Sequence, residues 1–231
     1  MSYADAVLVT NPVGYWLLGE KSGTVARDEM GANDGVYNGS PTLGVAGLLA
    51  GDSDTAMGGS DPQKYMSVSS AGLAALFSGT GPWTVAMWVD EAAGDWSFLF
   101  SVDNCGASHV HIRHTAAFVY VERHDASTAE SCEGAPLSAG GKFLVVTYDG
   151  ATIRPYLGGA LGTPAASTMS LPSLAPVAAF GANISTGGNN ATATYDEPAI
   201  WDRALTAPEV AALYAAGTTA PALGRSQVVA I

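Results

Sequence analysis

The chain has 231 residues, a length that suits one all-β domain or two smaller ones. It carries 21 acidic and 9 basic side chains, and the formal net charge of −12 would repel phosphate backbones and anionic lipid head groups. This charge argues against nucleic acid and membrane surfaces as partners. The sequence contains no signal-peptide pattern after Met1 and no apolar window long enough to insert into a membrane.

Ten short segments alternate between apolar and polar residues, as half-buried strands do, and are bounded by glycine, asparagine and aspartate. They are residues 14–20, 64–70, 83–90, 96–102, 109–114, 117–124, 142–150, 152–159, 176–182 and 193–202. No helical pattern alternates with them. Strands of this kind indicate antiparallel sheets packed as a sandwich.

One helix is predicted after the last strand. Thr206 and Glu209 have the spacing of a capping box, in which each side chain bonds the other residue's backbone N–H. The apolar face of the helix consists of Val210, Leu213 and Tyr214. Gly217 is placed to end the helix in a left-handed conformation. Because the helix is short, its stability must come from packing this face onto a sheet.

Six stretches resemble, in this order, the laminin G-like, concanavalin A-like jelly-roll modules. They are "YADAVLVTNPVGYWLLGE", "TVARDEMGANDGVYNG", "GLLAGDSDTAM", "WTVAMWV", "VVTYDGATIRPYLGG" and "DEPAIWDRALTAPEVAALYAAG", and the last is the most specific. The resemblance implies two antiparallel sheets in a module that usually binds glycans or proteins and often holds calcium. We therefore expect one all-β jelly-roll sandwich over residues 1–217, with one short C-terminal helix, and a tail at 218–231 that serves as an assembly arm.

The first predicted strand departs from that pattern. Similar modules often carry a polar or charged residue where this chain has Leu17. By alternation Leu17 shares a face with Tyr15, so both faces of the strand are apolar. Either a partner surface covers Tyr15 and Leu17, or the strand is an edge that lies beneath a loop. Pro155 and Pro198 also interrupt strands, and each must lie at an edge, at a bulge or on an outward-pointing amide.

Acidic residues in two distant segments form a candidate calcium site. Asp28 and Asp34 come from the second resembling stretch, and Asp196 comes from the last one. These groups would be neighbours if the terminal strands pair, and hard oxygen ligands suit calcium. The alternative is that Asp28 and Asp34 shape a turn while Asp196 caps a loop. A calcium ion here would be structural.

The histidines form a second candidate metal site. His109 and His111 share one strand face with Arg113, while His114 points the other way. Zinc would need converging ligands that other groups hold in place. The simpler interpretation, a solvated polar strand face, is favoured over a metal site.

A glycan is the ligand that the polar and aromatic residues of one hairpin suit best. A sugar stacks its apolar face on an aromatic ring, and its hydroxyl groups need directional partners. The candidate residues are Trp96, His111, Arg113, Tyr120, Glu122 and Asn183. Ordinary cross-strand pairs on an exposed sheet are the favoured alternative.

Cys105 and Cys132 flank a hairpin and are either a disulfide or two free thiols. Motifs of enzymes are absent from the sequence, including the nucleophile elbow, the P-loop and the His-Glu-x-x-His pair. No strand carries two carboxylates at alternate positions on one face, as a glycosidase of this fold would need. We therefore expect no catalytic activity.

Together these features predict a structural or adhesion protein on the surface of a bacteriophage virion, on the tail or the head. Its partners would be other virion proteins or copies of itself, and host-surface carbohydrate. The tail residues Val228, Val229 and Ile231 would contact a neighbour. The alternatives are a stand-alone bacterial carbohydrate-binding module, which would be extracellular, and, less favoured, a polysaccharide-active enzyme.

Overall fold

The computed structural model describes residues 1–59, 63–91, 96–103, 107–115, 117–134, 137, 142–184 and 191–219. The predicted assembly contacts Val228, Val229 and Ile231 lie outside these residues. The helices are α1 (Tyr3–Leu8), α2 (Ala71–Ala75) and α3 (Ala207–Thr218). The strands are β1 (Gly14–Tyr15), β2 (Val25–Ala26), β3 (Gly35–Asn38), β4 (Thr42–Ala46), β5 (Thr55–Gly58), β6 (Tyr65–Ser69), β7 (Trp83–Glu91), β8 (Ser97–Asp103), β9 (His109–His114), β10 (Val119–His124), β11 (Ala129–Glu133), β12 (Lys142–Tyr148), β13 (Thr152–Leu157), β14 (Ala160–Leu161), β15 (Ala165–Ala166), β16 (Val177–Phe180) and β17 (Ala193–Trp201).

Within the described residues these strands form two sheets, and their pairs are antiparallel. Sheet 1 has nine strands, in the order β14-β13-β12-β7-β17-β5-β4, with β1 paired to β17 and β15 paired to β13. Sheet 2 has eight strands, in the order β11-β10-β9-β8-β16-β6-β3-β2. The predicted two-sheet sandwich with a short C-terminal helix is confirmed.

The strand prediction was correct where strands are long and incomplete where they are short. Each of the ten predicted segments overlaps an observed strand, but β2 to β5, β11, β14, β15, α1 and α2 were missed. The missed strands are two to five residues long, so alternation has few positions in which to show. A bulge interrupts β4 between Leu43 and Val45, which further hides the pattern.

The main core lies between the two sheets. Sheet 1 contributes Trp83, Val85 and Met87 from β7, and sheet 2 contributes Val110 and Ile112 from β9. In both strands these residues alternate, so one face of each sheet points into the sandwich. The aromatic rings of this core pack edge-on or tilted at centroid distances near 5 to 6 Å.

A second core covers the outer face of sheet 1. Here α1 and α3 pack over apolar residues of the sheet. The cluster includes Tyr3, Val7, Trp88, Phe143, Val210 and Leu213. Tyr15 is fully buried in it and Leu17 packs against it. Tyr15 is thus covered within the same chain, by α1, α3 and the loop residues Leu48 and Leu49, and the predicted partner contact at Tyr15 is corrected. Leu17 is half-buried, and its contact with a partner stays a prediction.

The helix α3 begins as predicted and ends later. Thr206 and Glu209 form the capping box, and the predicted apolar face lies on the second core. Gly217, however, lies inside the helix, which continues to Thr218. The absent side chain of Gly217 leaves room for the ring of Trp88.

The three described helices are too short to span a membrane.

Both strand prolines occupy positions that need no ladder donor. Pro198 lies at a bulge of β17 between Asp196 and Ala199. Pro155 pairs with Val146 on β12, while its other side falls between the segments of β13 that pair with β14 and with β15. Both prolines thus lie at interruptions of the pairing in sheet 1, where a strand tolerates a missing N–H group.

Substituting Gly217 by alanine tests the contact between α3 and sheet 1. Alanine favours a helix over glycine by about 1 kcal/mol, but its Cβ would lie 2.3 Å from Cζ2 of the buried Trp88 ring. We expect Gly217→Ala to lower the free energy of unfolding by about 1–3 kcal/mol in urea denaturation. The matched control is Gly72→Ala in α2, where the nearest atom would be 4.0 Å away; this change should stabilise by up to about 1 kcal/mol. Equal effects at the two sites would contradict the packing explanation.

Candidate functional site

The outer face of sheet 2 carries a continuous set of polar and aromatic side chains, which we call the polar face. The pairing of β8, β9 and β10 arranges them in three rows across the strands. The rows are Asp103, His109 and His124; Ser101, His111 and Glu122; and Phe98, Arg113 and Tyr120. Trp96 stands beside the last row, with its ring centroid 5.7 Å from that of Tyr120. The predicted set of Trp96, His111, Arg113, Tyr120 and Glu122 is therefore brought together on one face.

Arg113 lies at the centre of an aromatic cluster. Its guanidinium carbon is 5.0 Å from the ring centroids of both Trp96 and Tyr120, and 5.4 Å from that of Phe98. At these distances the cation is attracted to the faces of the rings. Trp96 is 44% exposed, whereas the side chain of Arg113 is only 16% exposed. The cluster therefore reaches the surface through Trp96.

Glu122 connects the aromatic cluster to the histidines. Its carboxylate accepts a hydrogen bond from Arg113, and its Oε2 lies 3.2 Å from Nε2 of His109. Burial raises the pKa of this carboxyl group, but the hydrogen bond with His109 and the charge of Arg113 outweigh burial and hold the pKa below its usual value. Glu122 is therefore ionised at neutral pH and faces two donors.

Three histidine rings stack beside this carboxylate. The ring centroids of His109 and His111 are 3.6 Å apart at 9°, and those of His109 and His124 are 4.8 Å apart at 12°. Nε2 of His111 lies 3.0 Å from Oδ2 of Asp103. Burial lowers the pKa of His111 to about 4, although the hydrogen bond with Asp103 opposes this. His111 is thus a neutral imidazole at neutral pH.

Asp103 is the residue of the polar face that sequence reasoning missed. A bulge in β8 between Phe98 and Phe100 adds one residue, so the alternation changes sides. As a result Ser101 and Asp103 face outward with the histidines, while a regular strand starting from Phe98 would turn them inward. A bulge of this kind leaves no clear signal in the sequence.

Asn183 lies at the margin of this face and is almost completely buried. The carbonyl of its neighbour Ala182 accepts a hydrogen bond from Oγ of Ser101 at 2.7 Å. This Oγ in turn accepts a hydrogen bond from the N–H of Ile184 at 3.1 Å. These bonds fix residues 182–184 beside Ser101. The predicted contact of Asn183 with a glycan remains a prediction.

The predicted calcium ligands are not brought together. Oxygens of Asp28 accept hydrogen bonds from the backbone N–H groups of Tyr15, Met30, Ala32 and Asn33. Asp34 accepts from the N–H of Asp28 and pairs with Arg27 at 2.9 Å. Both carboxylates thus shape the loop between β2 and β3. Among the described residues, no group of three metal-ligating side chains includes Asp28, Asp34 or Asp196.

Asp196 and Glu197 lie buried at the bulge of β17. Oδ2 of Asp196 accepts the backbone N–H of Leu48 at 2.7 Å, and Glu197 accepts the hydroxyl of Tyr15. Glu197 has a φ of 55°, which the bulge imposes. Burial raises the pKa of Asp196 to about 7 and that of Glu197 to about 9. These two groups are carboxyl groups of the interior, with only 2% and 1% of the residues exposed.

Cys132 lies on β11 and packs into the main core. It forms no disulfide with another described residue, and burial raises the pKa of its thiol to about 12. Cys105 lies outside the described residues. The pairing of the two cysteines therefore stays a prediction.

Comparison with protein families gives one match over most of the chain. The profile of the family described as the concanavalin A-like lectin/glucanases superfamily matches residues 58–211. No curated protein matches the sequence.

Solved structures of similar fold include toxin and sialidase chains. Botulinum neurotoxin type C, whose cell entry depends on interaction with two ganglioside molecules, superposes with a TM-score of 0.69 at 12% identity over 93% of this chain and 53% of that one. The binding domain of botulinum neurotoxin serotype D gives 0.65 at 11% identity, over 88% and 51%. Trypanosoma rangeli sialidase gives 0.62 at 13% identity, over 89% and 32%. The chain spans about half the length of the neurotoxin chains. At identities this low, the superpositions show a common fold alone.

Replacing Glu197 by glutamine tests the role of its burial. Because its pKa is raised from 4.5 to about 9, the folded protein keeps a proton that the unfolded chain releases above 4.5. Glu197 should therefore make the free energy of unfolding fall as the pH rises from about 4.5 to about 9, by at most about 1.4 kcal/mol per pH unit. Asp196, whose pKa is raised to about 7, adds a decline of the same sign below pH 7. We expect Glu197→Gln to flatten the decline in urea denaturation, most clearly between pH 7 and 9. Glu29→Gln makes the same substitution at an exposed position and should leave the slope unchanged; the same slope in Glu197→Gln and the unsubstituted chain would refute the assignment.

Proposed function

The chain belongs to the concanavalin A-like lectin/glucanases superfamily, and we propose that it is a carbohydrate-binding module that holds a neutral glycan on the polar face of sheet 2. The observation that carries this proposal is the exposed ring of Trp96 beside the ordered Arg113 and Glu122. An aromatic surface and directional polar groups are the two features that sugar recognition requires.

Trp96 supplies the stacking surface. It is the exposed member of an aromatic cluster in which Tyr120 contacts its ring edge-on and Arg113 lies over its face. Its φ of 59° is unusual for a residue with a side chain, and such conformations are concentrated at binding sites, where neighbours maintain them. A ring fixed in this way loses little conformational freedom when a sugar binds.

Glu122 and the histidines supply the polar contacts. The carboxylate of Glu122 is ionised and its side chain retains 13% exposure, so it can accept hydrogen bonds from sugar hydroxyl groups. The neutral ring of His111 lies in the same row. Arg113 already donates to Glu122 and is in place before a ligand arrives.

The charge of the polar face favours a neutral glycan over an acidic one. The positive charge of Arg113 is balanced by Glu122. Asp103, two rows away from Arg113, adds a further carboxylate. The chain as a whole carries a net charge of −12. A sugar carboxylate would therefore meet more negative than positive charge. The ganglioside interaction named for the neurotoxin supports carbohydrate as the ligand class, and sialylated glycans are the natural comparison in a test.

Binding without hydrolysis fits the carboxyl groups best. A glycosidase needs one carboxyl group of raised pKa to donate a proton to the glycosidic bond. On the polar face the pKa of Glu122 is lowered. The pKa is raised for Asp196 and Glu197. These two residues are buried within β17 of sheet 1, where a polysaccharide has no access. This distribution supports a module that is not an enzyme.

We place this module on the surface of a bacteriophage particle, where it would bind host-surface carbohydrate. The supporting observation is that α1 and α3, close to the two ends of the described chain, both lie on the outer face of sheet 1. Attachment to a particle through either end would leave the polar face of sheet 2 directed outward. A stand-alone bacterial carbohydrate-binding module is the alternative setting.

Gold-labelled antibodies against the chain separate these settings. Electron microscopy should show label on intact phage particles from an infected culture, in the absence of detergent. The matched sample is a preparation of particles from which a density gradient has removed unattached protein. Label confined to bacterial surfaces or to soluble protein would reject the virion setting and leave the carbohydrate-binding proposal intact.

A glycan array tests the binding proposal directly. The full chain should bind neutral glycans in preference to their sialylated forms. Trp96→Ala should weaken binding at least tenfold, or about 1.4 kcal/mol, because the stacking surface is lost. Glu122→Gln should also weaken binding, since a charged acceptor is replaced by a neutral one.

The control is Val36→Ala, which removes an exposed apolar side chain from β3 of the same sheet. It should leave binding unchanged, and circular dichroism should show that all variants are folded. Binding that is lost with Val36→Ala, or retained with Trp96→Ala, would contradict the assigned site. Preference for sialylated glycans would overturn the charge argument.

A further inference from the structure

We propose that Asp103, His109 and His111 bind a divalent transition-metal ion, with zinc as the best fit, at the histidine end of the polar face. The proposal does not depend on the carbohydrate-binding function. One ligand atom from each residue lies within 4.8 Å of the other two. Within the described residues, this is the one group of three metal-ligating side chains whose ligand atoms lie so close together.

The spacing is close to that of a bound ion. Zinc is held by histidine nitrogen and carboxylate oxygen at about 2.0–2.2 Å. Two ligand atoms of a tetrahedral ion are then about 3.4 Å apart, by the geometry of those bond lengths. Nε2 of His111 and Oδ2 of Asp103 are already 3.0 Å apart. The rings of His109 and His111 are stacked at 9°, so at least one of them would have to rotate about its side-chain torsions for both nitrogens to point at one ion.

The backbone fixes the three ligands without reference to any metal. Asp103 is the cross-strand partner of His109, and His111 is two residues along the same strand. The side chains of these positions point to one face of the sheet, and the rings of His109 and His111 are parallel. Ligands on paired strands are held more precisely than ligands on a loop.

Glu122 provides the supporting contact that metal-binding histidines usually have. A histidine that ligates zinc commonly donates its other ring N–H to a carboxylate. Nε2 of His109 faces Glu122 at 3.2 Å, while its Nδ1 is buried and has no hydrogen-bond partner in the described structure. When Nε2 donates to Glu122, the lone pair of Nδ1 is available to a metal. An ion here would satisfy a nitrogen whose isolation is otherwise costly.

The ligand types favour zinc over calcium. Two imidazoles and one carboxylate suit zinc and its transition-metal neighbours, whereas calcium takes six to eight oxygens. Three protein ligands leave one tetrahedral position open. His124, stacked on His109 with a buried and unpartnered Nδ1, is the nearest side chain of suitable type. The other occupant would be water or a hydroxyl group of a ligand on the polar face.

Calorimetric titration of Zn²⁺ tests the site in the full chain, produced without a histidine tag and stripped with EDTA. We expect one ion per chain and tighter binding of Zn²⁺ than of Ca²⁺. Asp103→Asn, His109→Gln and His111→Gln should each weaken binding at least tenfold. Glu122→Gln should weaken it by about 10-fold or more through the orientation of His109.

Val36→Ala is the matched control, because it removes an exposed side chain from β3 of the same sheet without touching the ligands or Glu122. It should bind Zn²⁺ within about twofold of the unsubstituted chain. Co²⁺ in place of Zn²⁺ should give the visible absorption of a tetrahedral site, which requires no variant to fold. Absence of one-to-one binding, or binding that survives both histidine substitutions, would overturn the site. Because no sugar is present, either result leaves the glycan-array test independent.

Discussion

The central strands of sheet 1 are buried on both faces, and this constraint determines where a ligand can meet them. Their inner face packs against sheet 2, and α1 and α3 close their outer face over Trp88 and Phe143. The strand β7 is accordingly buried on both sides. Since the centre of sheet 1 has no face left for solvent, the polar and aromatic rows that cross several strands lie on the outer face of sheet 2. The polar face is a consequence of that division.

Two bulges then decide on which side of its strand a carboxyl group lies. The bulge in β8 turns Asp103 outward, next to the histidines. The bulge in β17 holds Glu197 in a left-handed conformation beneath Tyr15. The first carboxylate is paired with a histidine, whereas the second is desolvated strongly enough to favour its neutral form. The extra residue of each bulge thus determines where a carboxyl group lies, on the polar face of sheet 2 for Asp103 and next to Tyr15 for Glu197.

The sequence predicted the regular parts of the fold and of the site. The polar face of β9 and β10 follows from period-2 alternation, because these strands pair without a bulge and keep His111 and Glu122 on one side. Asp103 could not be predicted, since a bulge reverses the side on which it lies. The cover over Tyr15 was missed because α1 has only six residues, too few for helical periodicity to show. The bonds of Asp28 to backbone N–H groups of a tight loop could not be predicted either, because residue types alone do not show which carboxylates a loop already bonds.

The polar face is ordered but incompletely satisfied, and this is why it suits a ligand. Arg113 and Glu122 are largely removed from solvent and are paired with each other. Nε of Arg113 and Nδ1 of His109 remain buried without partners in the described structure. Groups held in place in this way lose little entropy on binding, and a ligand that supplies the missing contacts recovers interactions that folding leaves unmade. A sugar at Trp96 and an ion at His109 would each stabilise the face from a different end, with Glu122 in contact with both halves.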